Sequence, residues 1–445
     1  MTDGRFGRLS DAPALFTLIG ARIVDPSEGT DAIRDLFVRD GVIVEQAPVG
    51  GEVIDASGLV VAPGFCDLHS HLREPGDSAA ETIETGARAA ARGGFTTICA
   101  MPNTHPAIDR ADQVLRVSEG AGDAACRIRV IGAATIGREG SKLADLDGMA
   151  NAGAIGFSDD GAAVPNEVAL EVARRVAALE TTLFEHAEDA EITASGVMRE
   201  GLVATRLGLP GWPAEAERTV VERDIALADE TGARIHLTHL STAGAIEAVR
   251  EAKARGVAVT CDVTPHHLAL TDAWVAGSRQ FAWEDPVLDD ALAYDGACRV
   301  NPPLGPRDDA LALLAAVADG TVDAVATDHA PHPPERKLVP FEEAAPGLIG
   351  LETALSLGLA AVEAGRLTLS ALIAALSTGP ARIIGEERGL AIGALADLLA
   401  FDPSQRWRVE AESMASASAN TPLLGMELPG VVRLTVAGGR VTYRS

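Results

Sequence analysis

The chain is poor in lysine. Three of its 445 residues are lysines (Lys142, Lys253, Lys337), against 34 arginines and 64 acidic residues. The formal net charge of −27 repels phosphate backbones. It therefore argues against nucleic acid and anionic membranes as partners. Cysteine is scarce as well. Cys66, Cys99, Cys126, Cys261 and Cys298 are odd in number and never in C-x-x-C spacing. That excludes a disulfide framework and leads us to expect a reducing, cytoplasmic setting. No uninterrupted apolar run is long enough to span a bilayer, and Met1–Ser10 holds no apolar signal-peptide core. A Gly-rich phosphate loop after an early strand is also missing, because Gly93-Gly94 follows a helical stretch. This weighs against an open dinucleotide-type sheet.

The hydrophobic content of 47% is ample for a packed interior. The length exceeds one typical core, so a large domain plus a smaller one is expected. Residues 1–60 read as short strands with turns, among them Phe16–Val24 and Ala32–Val38, with Asp40-Gly41 marking a hairpin. The end of the chain reads alike, with strands at Ala396–Phe401, Val431–Val436 and Arg440–Tyr443. Residues 1–60 and 389–445 are therefore expected to build one small β-sandwich domain from both termini. Residues 61–388 alternate apolar strands with helical stretches such as Glu81–Arg92, Glu167–Leu179, Glu217–Glu230, Ala243–Ala254 and Asp308–Ala318. Alternation of this kind implies a parallel sheet with crossover helices. The number of units favours a closed (β/α)8 TIM-like barrel, giving an α/β fold overall.

Polar groups fall where a barrel places its chemistry, at the C-terminal ends of strands. His69 and His71 follow the apolar run Leu59–Ala62 and Phe65; two residues apart on a strand, they face the same side. Asn103 follows Phe95–Met101, Asp159 and Asp160 follow Gly153–Ser158, His186 ends Thr182–Glu185, His239 ends Arg234–Thr238, and Asp328 ends Val322–Thr327. Taken singly, each has a bland reading. Asp in Asp-Asp-Gly is commonly a turn or cap residue, and a lone histidine commonly packs in the core. Together, four histidines and two aspartates at the ends of five strands suit a pair of divalent cations of the zinc type. Arg73, just beyond the histidine pair, suits a carboxylate on the molecule those cations attack. His236 is expected to pack within its strand, His266 and His267 to lie in loops, and His329 to orient Asp328.

At this point Asp67–Gly76, Met101–Thr104, Phe157–Gly161, His186–Asp189, His239–Thr242, Asp262–Leu270, Asn301–Leu304 and Ala326–His332 together resemble the dihydroorotases of the bacterial type I class. These are a branch of the amidohydrolase superfamily. The resemblance extends into Ala396–Phe401 and Asn420–Gly425. It implies a reversible, zinc-dependent cyclisation of N-carbamoyl-L-aspartate to (S)-dihydroorotate in pyrimidine biosynthesis. It implies two zinc ions per subunit: His69, His71 and Asp328 on the first, His186 and His239 on the second, and Asp159 between them. Asp328 is the implied catalytic base. His71, Arg73, Asn103, Asn301, His332 and the Pro346-Gly347 backbone are the implied substrate contacts, with 332–346 as a mobile loop over the site. Many relatives, hydantoinases included, bridge their metals with a carboxylated lysine. Lys142, the only lysine between His71 and His186, lies in a Gly-Ser-Lys turn and is rejected for that role. A homodimer is implied, and association with aspartate transcarbamoylase stays open. Two alternatives remain: another cyclic amidase (allantoinase or hydantoinase), or a catalytically silent subunit that scaffolds a transcarbamoylase.

Overall fold

The computed structural model describes residues 4–445. Eight parallel strands follow one another in sequence around a barrel: β1 (Phe65–Ser70), β2 (Phe95–Ala100), β3 (Arg127–Gly132), β4 (Gly156–Phe157), β5 (Thr182–His186), β6 (Arg234–Thr238), β7 (Val259–Val263) and β8 (Ala324–Val325). The ring shuts beyond the ladder of β8, where His329 bridges Ser70 in parallel. The backbone N–H of His71 donates to the His329 carbonyl at 2.9 Å. Helices Asn166–Ala178, Glu215–Thr231, Ala243–Ala254 and Arg307–Asp319 flank the ring. Their buried positions recur three and four residues apart, as a one-sided helix requires.

Local chemistry sets the boundaries. Helix Ile83–Gly93 starts on a Thr82–Thr85 capping box and ends at Gly94, whose φ of 90° suits glycine. Glu81, expected inside this helix, lies before it and accepts from Ser416 and the Ala417 N–H. The last barrel strands are shorter than the sequence suggests, because ladder hydrogen bonds give way to side chains. The N–H of Thr327 donates to the Asp67 side chain, Oδ1 at 2.6 Å, rather than to a backbone carbonyl of the adjoining strand.

Both termini form a second eight-stranded sheet. Phe16–Asp25 runs antiparallel to Thr30–Arg39 but parallel to Glu52–Asp55 and Val60–Pro63. Leu398–Arg408 joins Val60–Pro63 to the C-terminal hairpin of Glu427–Ala437 and Arg440–Arg444. The Asp40-Gly41 turn has φ of 53° and 76°, the left-handed pair that suits a tight hairpin. This sheet curls round a core of its own that includes Phe16, Leu18, Ile23, Leu36, Leu398 and Val436. The domain boundary expected at 60/61 falls inside Val60–Pro63, which belongs to the terminal sheet; the barrel starts at Phe65. Among the described residues no helix is long and apolar enough to cross a membrane.

Candidate metal centre

The floor of the barrel is apolar. Cys66, Leu68, Cys99, Met101, Phe184 and Ala326 pack there. Burial pushes the Cys66 thiol up to about 12, so it stays protonated and is a packing residue.

Above this floor the strand ends converge. His69, His71 and Asp160 offer ligating atoms within 4.8 Å of one another, and so do Asp160, His186 and His239. Asp160 is thus common to both groups. Its Oδ1 lies 3.1 Å from His69 Nε2, 3.7 Å from His186 Nδ1 and 3.9 Å from His239 Nε2, and its Oδ2 lies 3.7 Å from His71 Nε2. Asp328 Oδ1 sits 3.0 Å from His71 Nε2 and 3.5 Å from His69 Nε2. All of these side chains are buried.

The shared carboxylate differs from the one expected. Asp159 points away, its Oδ1 accepting the Thr135 N–H at 3.0 Å. Consecutive residues in extended backbone face opposite ways, so only one member of the Asp-Asp pair can look into the barrel. Asp160 takes the place given to Asp159, and Arg138 donates to the Asp160 carbonyl to hold it there.

The arrangement fits metal ions. Neither ring nitrogen of the buried His69 makes an aligned hydrogen bond, although Nε2 lies 3.1 Å from Asp160 Oδ1, a costly condition unless an ion receives the Nε2 lone pair. Burial works against charge on these groups, yet their mutual fields prevail. Asp160 and Asp328 raise His69 to about 9, and Asp160 and Glu188 raise His186 to about 10. Burial likewise favours the neutral Asp328 carboxyl, but His69 and His71 outweigh it and hold it below the usual carboxylate range. Two buried anions among four imidazoles suit divalent cations.

Further groups aim the ligands. The His186 Nε2 meets Glu188 Oε2 at 2.9 Å, leaving Nδ1 for the centre. Asp262 Oδ1 accepts the His239 N–H at 2.6 Å, and its Oδ2 meets His236 Nε2 at 2.8 Å. His239 and Asp328 have φ of 39° and 45°, uncommon for residues other than glycine; for His239 the buried Asp262 carboxylate anchors the backbone N–H. Glu188 was legible as a carboxylate two residues from His186; Arg138 and Asp262 carry no such signal. His236 packs in its strand as expected. His266 and His267 do not lie in open loops but are buried in the short helix Pro265–Ala269. His329 does not bond Asp328; its Nε2 meets Glu81 at 3.1 Å.

A cavity of about 210 Å³ opens over the cluster, lined by Arg73, Asn103, Asn301, His332, Pro346 and Gly347 along with His71, Asp160, His186, His239 and Asp328. Arg73 donates from Nε to the Pro331 carbonyl at 3.2 Å. Asn103 is more committed than expected. Its Oδ1 meets His71 Nδ1 and its Nδ2 donates to Asp160, both at 2.8 Å, which leaves one amide hydrogen for a ligand. Asn301 donates to Glu188 at 3.1 Å. His332 Nε2 meets the Pro346 carbonyl at 2.9 Å, and its Nδ1 is buried without a partner. A larger cavity of about 560 Å³ lies at the opposite end of the barrel, beside Thr182, Arg234 and Val259.

A dihydroorotase of Pelobacter propionicus is 44% identical to this chain over 434 residues, spanning 95% of this chain and 98% of that protein. The chain belongs to the dihydroorotase family. A dihydroorotase of Anaeromyxobacter dehalogenans is 45% identical over 437 residues, spanning 95% of this chain and 96% of that protein. The family model for dihydro-orotase-like proteins matches residues 58–245. Among solved structures, the L-hydantoinase (dihydropyrimidinase) of Arthrobacter aurescens superposes with a TM-score of 0.82 at 25% identity, covering 96% of each chain. The dihydropyrimidinase of Brevibacillus agri shares the fold, with a TM-score of 0.79 at 22% identity over 96% of this chain and 95% of that one. The family is one of cyclic amidohydrolases, with an amidohydrolase barrel and a mixed sheet from both termini.

Proposed function

We propose that this chain is a zinc-dependent dihydroorotase that interconverts N-carbamoyl-L-aspartate and (S)-dihydroorotate in pyrimidine biosynthesis in the cytoplasm. One observation carries the reading: two His/Asp groups share Asp160 beneath the half-buried Arg73, in a chain similar over its length to dihydroorotases. His69, His71 and Asp328 would hold one ion, His186 and His239 the other, with Asp160 between them. A bound pair of such ions supplies a water ionised near neutral pH and polarises a carbonyl. Asp328, ionised among its histidines, takes the proton of the attacking water. It then delivers that proton to the ring nitrogen that leaves as dihydroorotate opens. In the other direction Asp328 accepts the ureido proton of carbamoyl aspartate.

Arg73 binds the substrate carboxylate, aided by the free Asn103 amide hydrogen. Burial and Arg73 push His332 down to about 3, so its ring is neutral in the free protein. A bound carboxylate favours the protonated ring and draws Nδ1–H into the contact. Asn301 and the Pro346-Gly347 backbone shape the wall around the ring. Arg73→Met is expected to raise KM for dihydroorotate strongly while kcat changes little; an unchanged KM would remove the clamp assignment.

Hydantoinases share the fold, and hydantoin lacks the carboxylate that Arg73 would bind. Lys142 is exposed on the surface, and Asp160, common to both His/Asp groups, would take the bridging role. The ligand set is whole, which disfavours a silent scaffolding subunit. The test is metal analysis together with absorbance assays on dihydroorotate, hydantoin and allantoin. We expect two zinc ions per chain and turnover of dihydroorotate alone. Chelator treatment is expected to abolish turnover, and added zinc to restore it. Activity that survives complete metal removal would sink the reading. A homodimer and a transcarbamoylase complex are the associations to look for by sizing chromatography.

A further inference from the structure

Lys337 is one of only three lysines in the chain, and it is buried at 5% exposure. Its ammonium donates to three backbone carbonyls: Arg299 at 3.1 Å, Ala345 at 2.7 Å and Gly347 at 2.8 Å. Burial pushes the ammonium down to about 7, so keeping a charge there is costly.

Gly347 lines the cavity, and Ala345 and Arg299 lie one and two residues from the lining residues Pro346 and Asn301. The Gly347 N–H donates to the same Arg299 carbonyl at 2.9 Å. Asn301, two residues on, holds Glu188 and through it His186. Pro346 receives His332 Nε2. Asn420 Nδ2 also reaches the Gly347 carbonyl, at 3.2 Å. Gly347 has φ of 128°, and a Cβ there would fall 2.6 Å from the Ala330 Cβ, so only glycine fits at this close approach. Without the ammonium, the Ala345 and Arg299 carbonyls lose a charge-assisted partner inside the protein.

We propose that Lys337 is a positioning residue of the dihydroorotase reaction, whose ammonium staples the 332–347 loop to the segment at 299–301. The staple fixes His332, Pro346 and Gly347 as the wall that the substrate meets. The three N–H bonds of an ammonium diverge tetrahedrally onto three carbonyls from two chain segments, 299 and 345–347. A guanidinium is a flat fork and cannot meet the same set. That difference accounts for a lysine here in a chain that otherwise uses arginine.

The inference rests on the activity proposed above. The experiment compares the metal-loaded full chain with Lys337→Met, Lys337→Gln and Lys337→Arg, reading kcat, KM for dihydroorotate, zinc content and melting temperature. KM is expected to rise by about 10-fold or more in all three variants, with kcat and zinc content close to wild type, because binding geometry and not chemistry is lost. Wild-type turnover with unchanged KM in Lys337→Met overturns the staple alone. So does rescue of KM by arginine. If neither Lys337→Met nor Lys337→Gln keeps the wild-type melting transition, Lys337 serves the fold and the proposal also fails. An unmodified chain without turnover overturns both the staple and the activity.

Discussion

Asp160→Ala is expected to strip the protein of bound zinc and reduce dihydroorotate turnover to background, whereas Asp159→Ala leaves both in place. Asp160 is common to the two ligating groups. Its loss removes an anion from both positions at once and leaves four imidazoles facing one another with Asp328 as their remaining partner. The neighbouring change acts on the fold. Asp159 accepts the buried Thr135 N–H, and an unsatisfied buried donor costs about 1–3 kcal/mol. Zinc content by elemental analysis, beside a melting curve, separates the two. Zinc retained in Asp160→Ala and lost in Asp159→Ala would reverse the assignment.

Asp328→Asn is expected to keep metal while kcat falls by about 10²–10⁴-fold, the range for loss of a positioned acid–base group. Asparagine retains an oxygen for the ion and for His71 but cannot accept the proton from water. His69, His71, Asp160, His186 and His239 remain as ligands. The loss should appear equally in both directions, because the same carboxylate works in each. Assays started from dihydroorotate and from carbamoyl aspartate check this. Near-wild-type kcat in either direction would remove Asp328 from the chemistry.

The barrel and most of the site were legible because they depend on local pattern. Strands alternating with amphipathic helices, and an acidic or imidazole group at successive strand ends, follow from periodicity alone. The sequence could not separate Asp159 from Asp160, because which of two adjacent residues faces inward depends on a strand only two residues long, Gly156–Phe157. Helix Ala354–Glu363 gave no one-sided signal, as eight of its ten residues are buried. Leu398–Arg408 reads shorter in sequence than it is, because Pro403 falls where the register shifts and no ladder hydrogen bond is needed. Lys337 looked like part of a mobile, charged loop. Only the fold brings the Arg299 carbonyl, 38 residues back along the chain, to the ammonium beside those of Ala345 and Gly347.

The seam at Ser70 and His329 has one more meaning. The staves of this cylinder meet beside the cluster, and His71 reaches Asp328 across 257 residues of chain. A nascent chain therefore carries its histidine pair long before the opposing aspartate is synthesised. The catalytic mouth is completed only when the last stave docks against the first, so recovery of activity during refolding reports the closing of the ring rather than the formation of its parts.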